Sequence, residues 1–292
     1  MNTSMLLLNL VVDGVTLGCV YALLAVGFSL LWWIAGIMHV AHGAVMLAGG
    51  FAVYAAFAIV GIGLPLSLVA GACSAVALGV AFEAFLYRPL HLRRTDEMGI
   101  LTASLGALIF VEYVATIVFG PDGAALDAGR LRNPLLDSSL IIDGFSVMVI
   151  CVTIGLFSCL GLVLTRTRVG REMRAIASNA DLAVVLGINT KAINIITAAM
   201  AAILCLPAAS FLLFNTGLVP TEALHIVLVA SVVAILGGRG SLIGAFIAGL
   251  IIGIAESAMT LHFAAGWRQL ITFSLLYVLL LFRPQGIFGE RA

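Results

Sequence analysis

Charged side chains are scarce in this sequence. Its 292 residues include 14 Lys and Arg against 14 Asp and Glu, while 63% are apolar. So little charge cannot cover the surface of a soluble domain, so most of the chain is solvated by hydrocarbon. The net charge is zero and no basic tract is present, which excludes a nucleic-acid partner. A basic amino-terminal region is also missing, so the first apolar run is expected to remain as a span rather than be cleaved as a signal peptide. No Gly-x-x-x-x-Gly-Lys-Ser/Thr phosphate loop occurs. The stretch Gly237-Gly238-Arg239-Gly240-Ser241 lacks the lysine and the preceding strand. ATP is therefore not expected on this chain, and no other cofactor is implied. His39 and His42 stand at i and i+3 without a nearby carboxylate or thiol, which is not metal spacing. No nucleophile stands with a base, so the chain is not read as an enzyme. Cys19, Cys73, Cys151, Cys159 and Cys205 all fall in apolar runs and read as packed thiols rather than disulfides.

What is abundant is long apolar sequence. Runs of about 20 residues recur, each able to cross about 30 Å of hydrocarbon as a helix, and these lengths exclude a closed barrel. The fold class is all-α, a polytopic membrane helical bundle of eight or nine crossings. The runs extend from Asp13 to about Ile37, Ala44 to Val60, Pro65 to about Leu86, Gly99 to Phe119, Gly144 to Leu164, Ala192 to Phe214, His225 to Leu236, Leu242 to about Leu261, and a last run to Phe282. Pro207 lies within the sixth and is a candidate kink. The seventh is short for a full span, so it is tilted or broken at Gly237-Gly238. Counted literally, the runs give nine crossings with the amino terminus outside. A re-entrant segment at the His39 or Gly237 junction gives eight.

One long stretch, residues 165–191, interrupts the hydrocarbon with polar sequence. It carries Arg166, Arg168, Arg171, Arg174 and Lys191 against Glu172 and Asp181, which places it in the cytoplasm. The basic cluster Arg88 to Arg94 goes to the same side. Met173, Ile176, Ala180 and Val184 recur at helical spacing, Asn179 can cap a second short helix, and Gly187 can end it in a left-handed turn. The stretch therefore reads as two short amphipathic helices on the inner face, with small residues where a partner can approach. A basic loop that only sets topology is the plainer reading, and the helix signals favour the docking element. Residues 120–143 form the largest external segment, a partly ordered loop with one short interfacial helix, carrying Asp122, Asp127, Arg130, Arg132 and Asp137. It serves either to receive an external partner or as an ordinary solvated connection.

Glu112 and Glu256 lie inside apolar runs, where an unpaired charge costs several kcal/mol by order of magnitude. They either line a polar path or a subunit interface, or pair with buried hydroxyls and amides. Glu83, one turn from Tyr87 and Arg88, is expected to reach the membrane interface. The glycine-rich junctions after His42 and Gly237 suggest a duplicated architecture with interrupted helices at the path, although close helix packing alone accounts for the glycines.

Four motifs, in order and spread over nearly the whole chain, carry a family resemblance. They are Tyr21-Ala22-Leu23 with Gly27 and His39-Val40-Ala41-His42-Gly43; Gly170, Arg171, Arg174, Ala175, Ala177, Asn179, Ala183 and Gly187-Ile188-Asn189; Gly237-Gly238-x-Gly-Ser-x-x-Gly; and Arg283-Pro284-Gln285-Gly286-Ile287-Phe288-Gly289. The chain resembles the permeases of branched-chain amino acid ABC importers, of the LivH type. It departs from their pattern with His39 in place of asparagine and Ala44 in place of an acidic residue.

The resemblance implies a multi-pass plasma (inner) membrane protein with residues 1–292 as one permease domain. It also implies a second, homologous permease, two ATPase subunits that consume ATP, and an extracytoplasmic binding protein that delivers a branched-chain amino acid or similar small polar solute. Coupling to the ATPase would fall to Arg168, Gly170, Arg171, Arg174, Ala175, Ala177, Asn179, Ala183 and Gly187. The translocation path or subunit interface would draw on Tyr21, His39, His42, Gly43, Glu112, Gly237, Gly238 and Glu256. The rival reading is a self-sufficient secondary transporter with a coupling proton on Glu112 or Glu256. The orientation can be checked in a cysteine-free background. Arg94→Cys and Ser178→Cys should react only with reagent that reaches the cytoplasm, and Asp127→Cys only from outside; labelling of all three from one side overturns the map.

Overall fold

A computed structural model describes residues 3–127, 144–238, 240–259, 267–282 and 286–288. The interfacial helix expected within residues 120–143, with Arg130, Arg132 and Asp137, and the start of the Arg283 motif lie outside the described residues. The helices are α1 (Thr3–Ile34), α2 (His42–Tyr54), α3 (Leu64–Ala81), α4 (Arg88–Leu92), α5 (Glu97–Phe119), α6 (Gly144–Arg166), α7 (Arg168–Ser178), α8 (Ala180–Val185), α9 (Thr190–Asn215), α10 (Ala223–Gly237), α11 (Leu242–Met259) and α12 (Arg268–Phe282). Among the described residues, eight helical segments are long and apolar enough to cross a membrane. The chain is thus an all-helical, multi-pass membrane protein. The ninth apolar run appears as α12, with 15 residues.

Boundaries differ from expectation where a local cue was overridden. Asp13 sits inside α1, exposed, because a side-chain charge on the helix surface does not interrupt backbone hydrogen bonding. The third run continues past Leu86 to Leu92. A π-helical turn at Phe82–Tyr87 precedes Pro89, and that wider turn takes up a ring that would clash with the carbonyl four residues back in a regular α-helix. A second π-helical turn, Ala55–Ile59, extends α2. The short seventh run is lengthened by a 3-10 turn at Pro220–Glu222. Helix α9 continues through Pro207. At the start of α5 the Asp96 side chain accepts from the Gly99 N–H, and Gly120, with φ of 91°, ends the helix.

The helices divide into two compact units. In residues 27–126 and 158–228, α2 packs on α3, α5 and α9, and α3 packs on α9. Leu31 of α1 is buried against Ala198 and Ala201 of α9, and Ile37, Tyr87 and Ile100 form a second cluster. The other unit contains residues 1–26, 127–157 and 229–292. Its described part brings α1 against α11 through glycine, as close approach rather than hydrophobic exclusion is what holds helices together in lipid. A Cβ on Gly18 would lie 2.8 Å from Leu250 Cα and 2.9 Å from Gly249 O. Ser257 Oγ donates to Leu10 O at 2.7 Å across the same contact.

Of the five cysteines, Cys19 and Cys205 are buried. Cys73, Cys151 and Cys159 are exposed on helices, so these three do not pack in the core as expected. An apolar run buries only the helix face that meets a neighbour, and sequence does not say which face that is.

The glycine contact yields a stability prediction. Gly18→Ala should destabilise the protein by about 1–3 kcal/mol through overpacking. Gly155→Ala, on α6 with nothing within 4 Å of the added carbon, should be neutral or slightly stabilising. Thermal unfolding in detergent compares the two, and equal loss would overturn the packing account.

Candidate functional site

Between α1 and α2 the backbone leaves helical geometry over residues 35–41. Where such a break is buried, the amides it releases must find partners within the protein. The Ala41 N–H donates to Ser104 Oγ of α5 at 2.8 Å, Ser104 Oγ lies 2.9 Å from Tyr87 Oη, and Tyr87 Oη is hydrogen-bonded to His39 Nδ1. All four residues are buried. His39 lies outside the spanning segments. Burial first, and the neighbouring His42 second, hold its imidazole well below the usual pKa, so it is neutral.

His42 opens α2 with its ring 5.5 Å from that of His39. The Cys205 thiol of α9 lies 3.1 Å from His42 Nε2. Gly43 makes room for α10, since a Cβ there would lie 2.8 Å from Ala223 O. Glu112, half-buried on α5, accepts a backbone hydrogen bond from Leu224. Gly43 and Glu112 therefore both meet the first turn of α10. Among the described residues, no group of three or more His, Cys, Asp or Glu is placed to hold a metal.

In the other unit, Glu256 of α11 is buried and accepts from the Tyr21 hydroxyl of α1 at 2.8 Å and from the Thr272 hydroxyl of α12. This is the hydroxyl pairing that the sequence left open as one of two readings. Gly237 ends α10 and Gly238 follows with φ of 95°, so the glycines terminate the seventh crossing, which gains its length at its start from the Pro220–Glu222 turn. The returning chain seals this end: Ile287 N–H donates to Leu236 O at 2.7 Å and Phe288 N–H to Gly237 O at 3.3 Å.

The polar stretch folds as α7 and α8. Thr167 caps α7 by accepting from the Gly170 N–H, and Asn179 caps α8 by accepting from the Leu182 N–H at 2.9 Å. Gly187 has φ of 81° and follows α8 in the left-handed turn expected of it. Met173 and Ile176 are buried, but Ala180 and Val184 are exposed and Ala183 is the buried residue of α8. The extended backbone at Asn179 resets the helical phase, so one periodicity cannot run through both helices. Both helices pack on α9. Gly170 is buried against the end of α6, while Arg168, Arg171, Arg174, Asn179 and Gly187 are exposed and Ala175 and Ala177 are half-buried. Arg168 pairs with Glu172 at 2.9 Å.

Sequence reasoning missed Ser104, Thr272 and Cys205 as partners, and nothing local marks them. Glu83 does not reach the interface. It is buried, its side-chain hydrogen-bond partner is Asn194 of α9, and its Oε2 has no partner of its own. The π-helical turn redirects this residue inward.

The family model described as branched-chain amino acid transport system, permease component, matches residues 10–281. The chain is 30% identical to the high-affinity branched-chain amino acid transport system permease protein BraD of Pseudomonas aeruginosa, over 97% of this chain and 96% of that one. To the corresponding LivH protein of Escherichia coli it is 31% identical, over 95% and 94%. To a probable branched-chain amino acid transport permease protein LivH of Methanocaldococcus jannaschii it is 25% identical, over 91% and 88%. With coverage this high, the likeness belongs to the whole chain and not to one motif. No solved structure matches it.

The Glu256 pairing has a measurable consequence. Glu256→Gln keeps the shape and can still bond both hydroxyls, so assembly and transport should be largely retained. Glu256→Leu removes the acceptor that the Tyr21 and Thr272 hydroxyls share and should destabilise the protein by about 1–3 kcal/mol. Thermal unfolding and vesicle uptake check both. Loss of uptake by Glu256→Gln with normal assembly would instead favour a charged role for the acid.

Proposed function

Because the chain belongs to the branched-chain amino acid transport permease family, we propose that it is the membrane-spanning permease subunit of an ABC importer in the inner (plasma) membrane. It works with a second, homologous permease, two ATPase subunits that bind and hydrolyse ATP, and an extracytoplasmic solute-binding protein. Residues 1–292 act as one permease domain, and this chain itself binds no cofactor. The solute is a branched-chain amino acid or a similar small polar molecule, with Ala44 marking a departure from the usual acidic position.

The observation that carries the coupling role is the surface of α8. In a segment outside the spans, Leu182, Val184, Val185 and Leu186 are all exposed, Val185 by 81%. Capping and contact with α9 keep that surface ordered, since helices of 11 and 6 residues are too short to persist on propensity. An exposed apolar patch on α8, following a helix that exposes Arg168, Arg171 and Arg174, suits a groove on a soluble subunit. Closure of the ATPases would move α7 and α8, and through them α9. His39, His42, Gly43, Glu112, Tyr21, Gly237, Gly238 and Glu256 remain the residues assigned to the path or the permease interface. The rival, a proton-coupled secondary transporter, rests on the burial of Glu256.

The coupling assignment is tested by charge. Ala175→Asp and Val185→Asp should insert and fold normally, yet weaken ATPase association by about 1–3 kcal/mol through bulk and desolvation. Asp127→Ala should leave association unchanged. Copurification and ATP-driven uptake in reconstituted vesicles read the result. Full uptake with wild-type ATPase retention by both acidic variants would sink the assignment.

A further inference from the structure

The hydrogen-bond chain at the α1–α2 break has one end whose direction is settled by chemistry. The Ala41 amide can only donate, so Ser104 Oγ accepts there. The Ser104 hydroxyl then has one hydrogen to place, and its other hydrogen-bond neighbour is Tyr87 Oη. If that hydrogen goes to Tyr87, the phenol donates its own to His39 Nδ1, and every hydrogen between Ala41 and Nδ1 has an acceptor, while His39 Nε2 is not among the buried polar atoms left without a partner. In the reverse order, His39 Nδ1–H donates to Tyr87 and Tyr87 to Ser104, and the Ser104 hydrogen is left buried with no acceptor. A stranded buried donor costs more than a typical hydrogen bond contributes, so the first order wins. The ring is also held edge-on by Tyr87 at 5.3 Å, His42 at 5.5 Å and Phe82 at 6.3 Å, which opposes a flip.

We infer that Ser104 and Tyr87 are positioning residues that hold His39 as the neutral tautomer protonated on Nε2, with Nδ1 as the acceptor. The remaining nitrogen then presents an N–H donor in the break between α1 and α2. A polar group that meets it must be an acceptor, such as a carboxylate or carbonyl oxygen. The tautomer follows from hydrogen bonding alone, and only its bearing on solute passage rests on the transport reading.

The experiment is nitrogen-15 NMR on the full chain in lipid bilayers with labelled histidine. The His39 signals are identified by their loss in His39→Asn. A protonated Nε2 with a bare Nδ1 is expected. A protonated Nδ1, or an imidazolium, overturns the inference. Tyr87→Phe removes the donor, so the tautomer preference should relax to a mixture; an unchanged preference shows that Tyr87 does not set it. Should Tyr87→Phe fail to accumulate, the wild-type spectrum still decides the tautomer. In the reconstituted importer, Tyr87→Phe should lower uptake several-fold with ATPase retention intact. Unchanged uptake after loss of the preference overturns the positioning role. Absence of uptake by the wild-type assembly, with Nε2 protonated, counts against the transport reading and leaves the tautomer supported.

Discussion

A buried backbone amide released where a helix breaks must be given an acceptor within the protein, and the Ala41 N–H receives one from Ser104. The arrangement between α1, α2, α3 and α5 depends on that bond. Ser104 is 63 residues away in sequence, so the bond brings α5 to the break. Tyr87, hydrogen-bonded to both Ser104 and His39, ties in the π-helical turn that follows α3. Ile37 and Ile100 then close over the Tyr87 ring. An irregular segment is tolerated here because the groups from the Ala41 N–H to His39 Nδ1 are matched and the residues packed on Tyr87 are apolar.

The same constraint governs the other unit at Glu256. A carboxyl group on α11 is matched by hydroxyls from α1 and α12, so one acid joins three helices. Around it, α1 and α11 approach through Gly14, Gly18, Gly249 and Gly253. Lipid tails are as apolar as leucine, so close backbone contact and internal hydrogen bonds contribute what exclusion from water provides in a soluble core. Glu112 and Glu83 meet the demand differently, with a backbone N–H and an asparagine side chain as their partners.

Outside the spans the logic inverts. On membrane helices an exposed Leu or Val is ordinary, because hydrocarbon surrounds it. On α8 the same residues stand in a polar segment, and their exposure becomes evidence of a partner. This contrast, rather than the basic charge of residues 165–191, carries the docking proposal. The basic residues bear on orientation, and the apolar ones on contact.

Much of the fold was legible because its signals are local. Run length and apolar composition specify membrane helices, since a helix satisfies its own backbone and needs only apolar side chains to persist in lipid. Caps were equally readable: Asn179 and Gly187 act through neighbours a few residues away. The four ordered motifs sufficed to place the family. What only the tertiary structure decided were the partners: Ser104 and Tyr87 for the break, Tyr21 and Thr272 for Glu256, Asn194 for Glu83, and which cysteines face inward. Each of these depends on helix rotation and on contacts between positions tens to hundreds of residues apart. In a chain hydrophobic on every face, the sequence carries almost no amphipathic signal from which that rotation could be read.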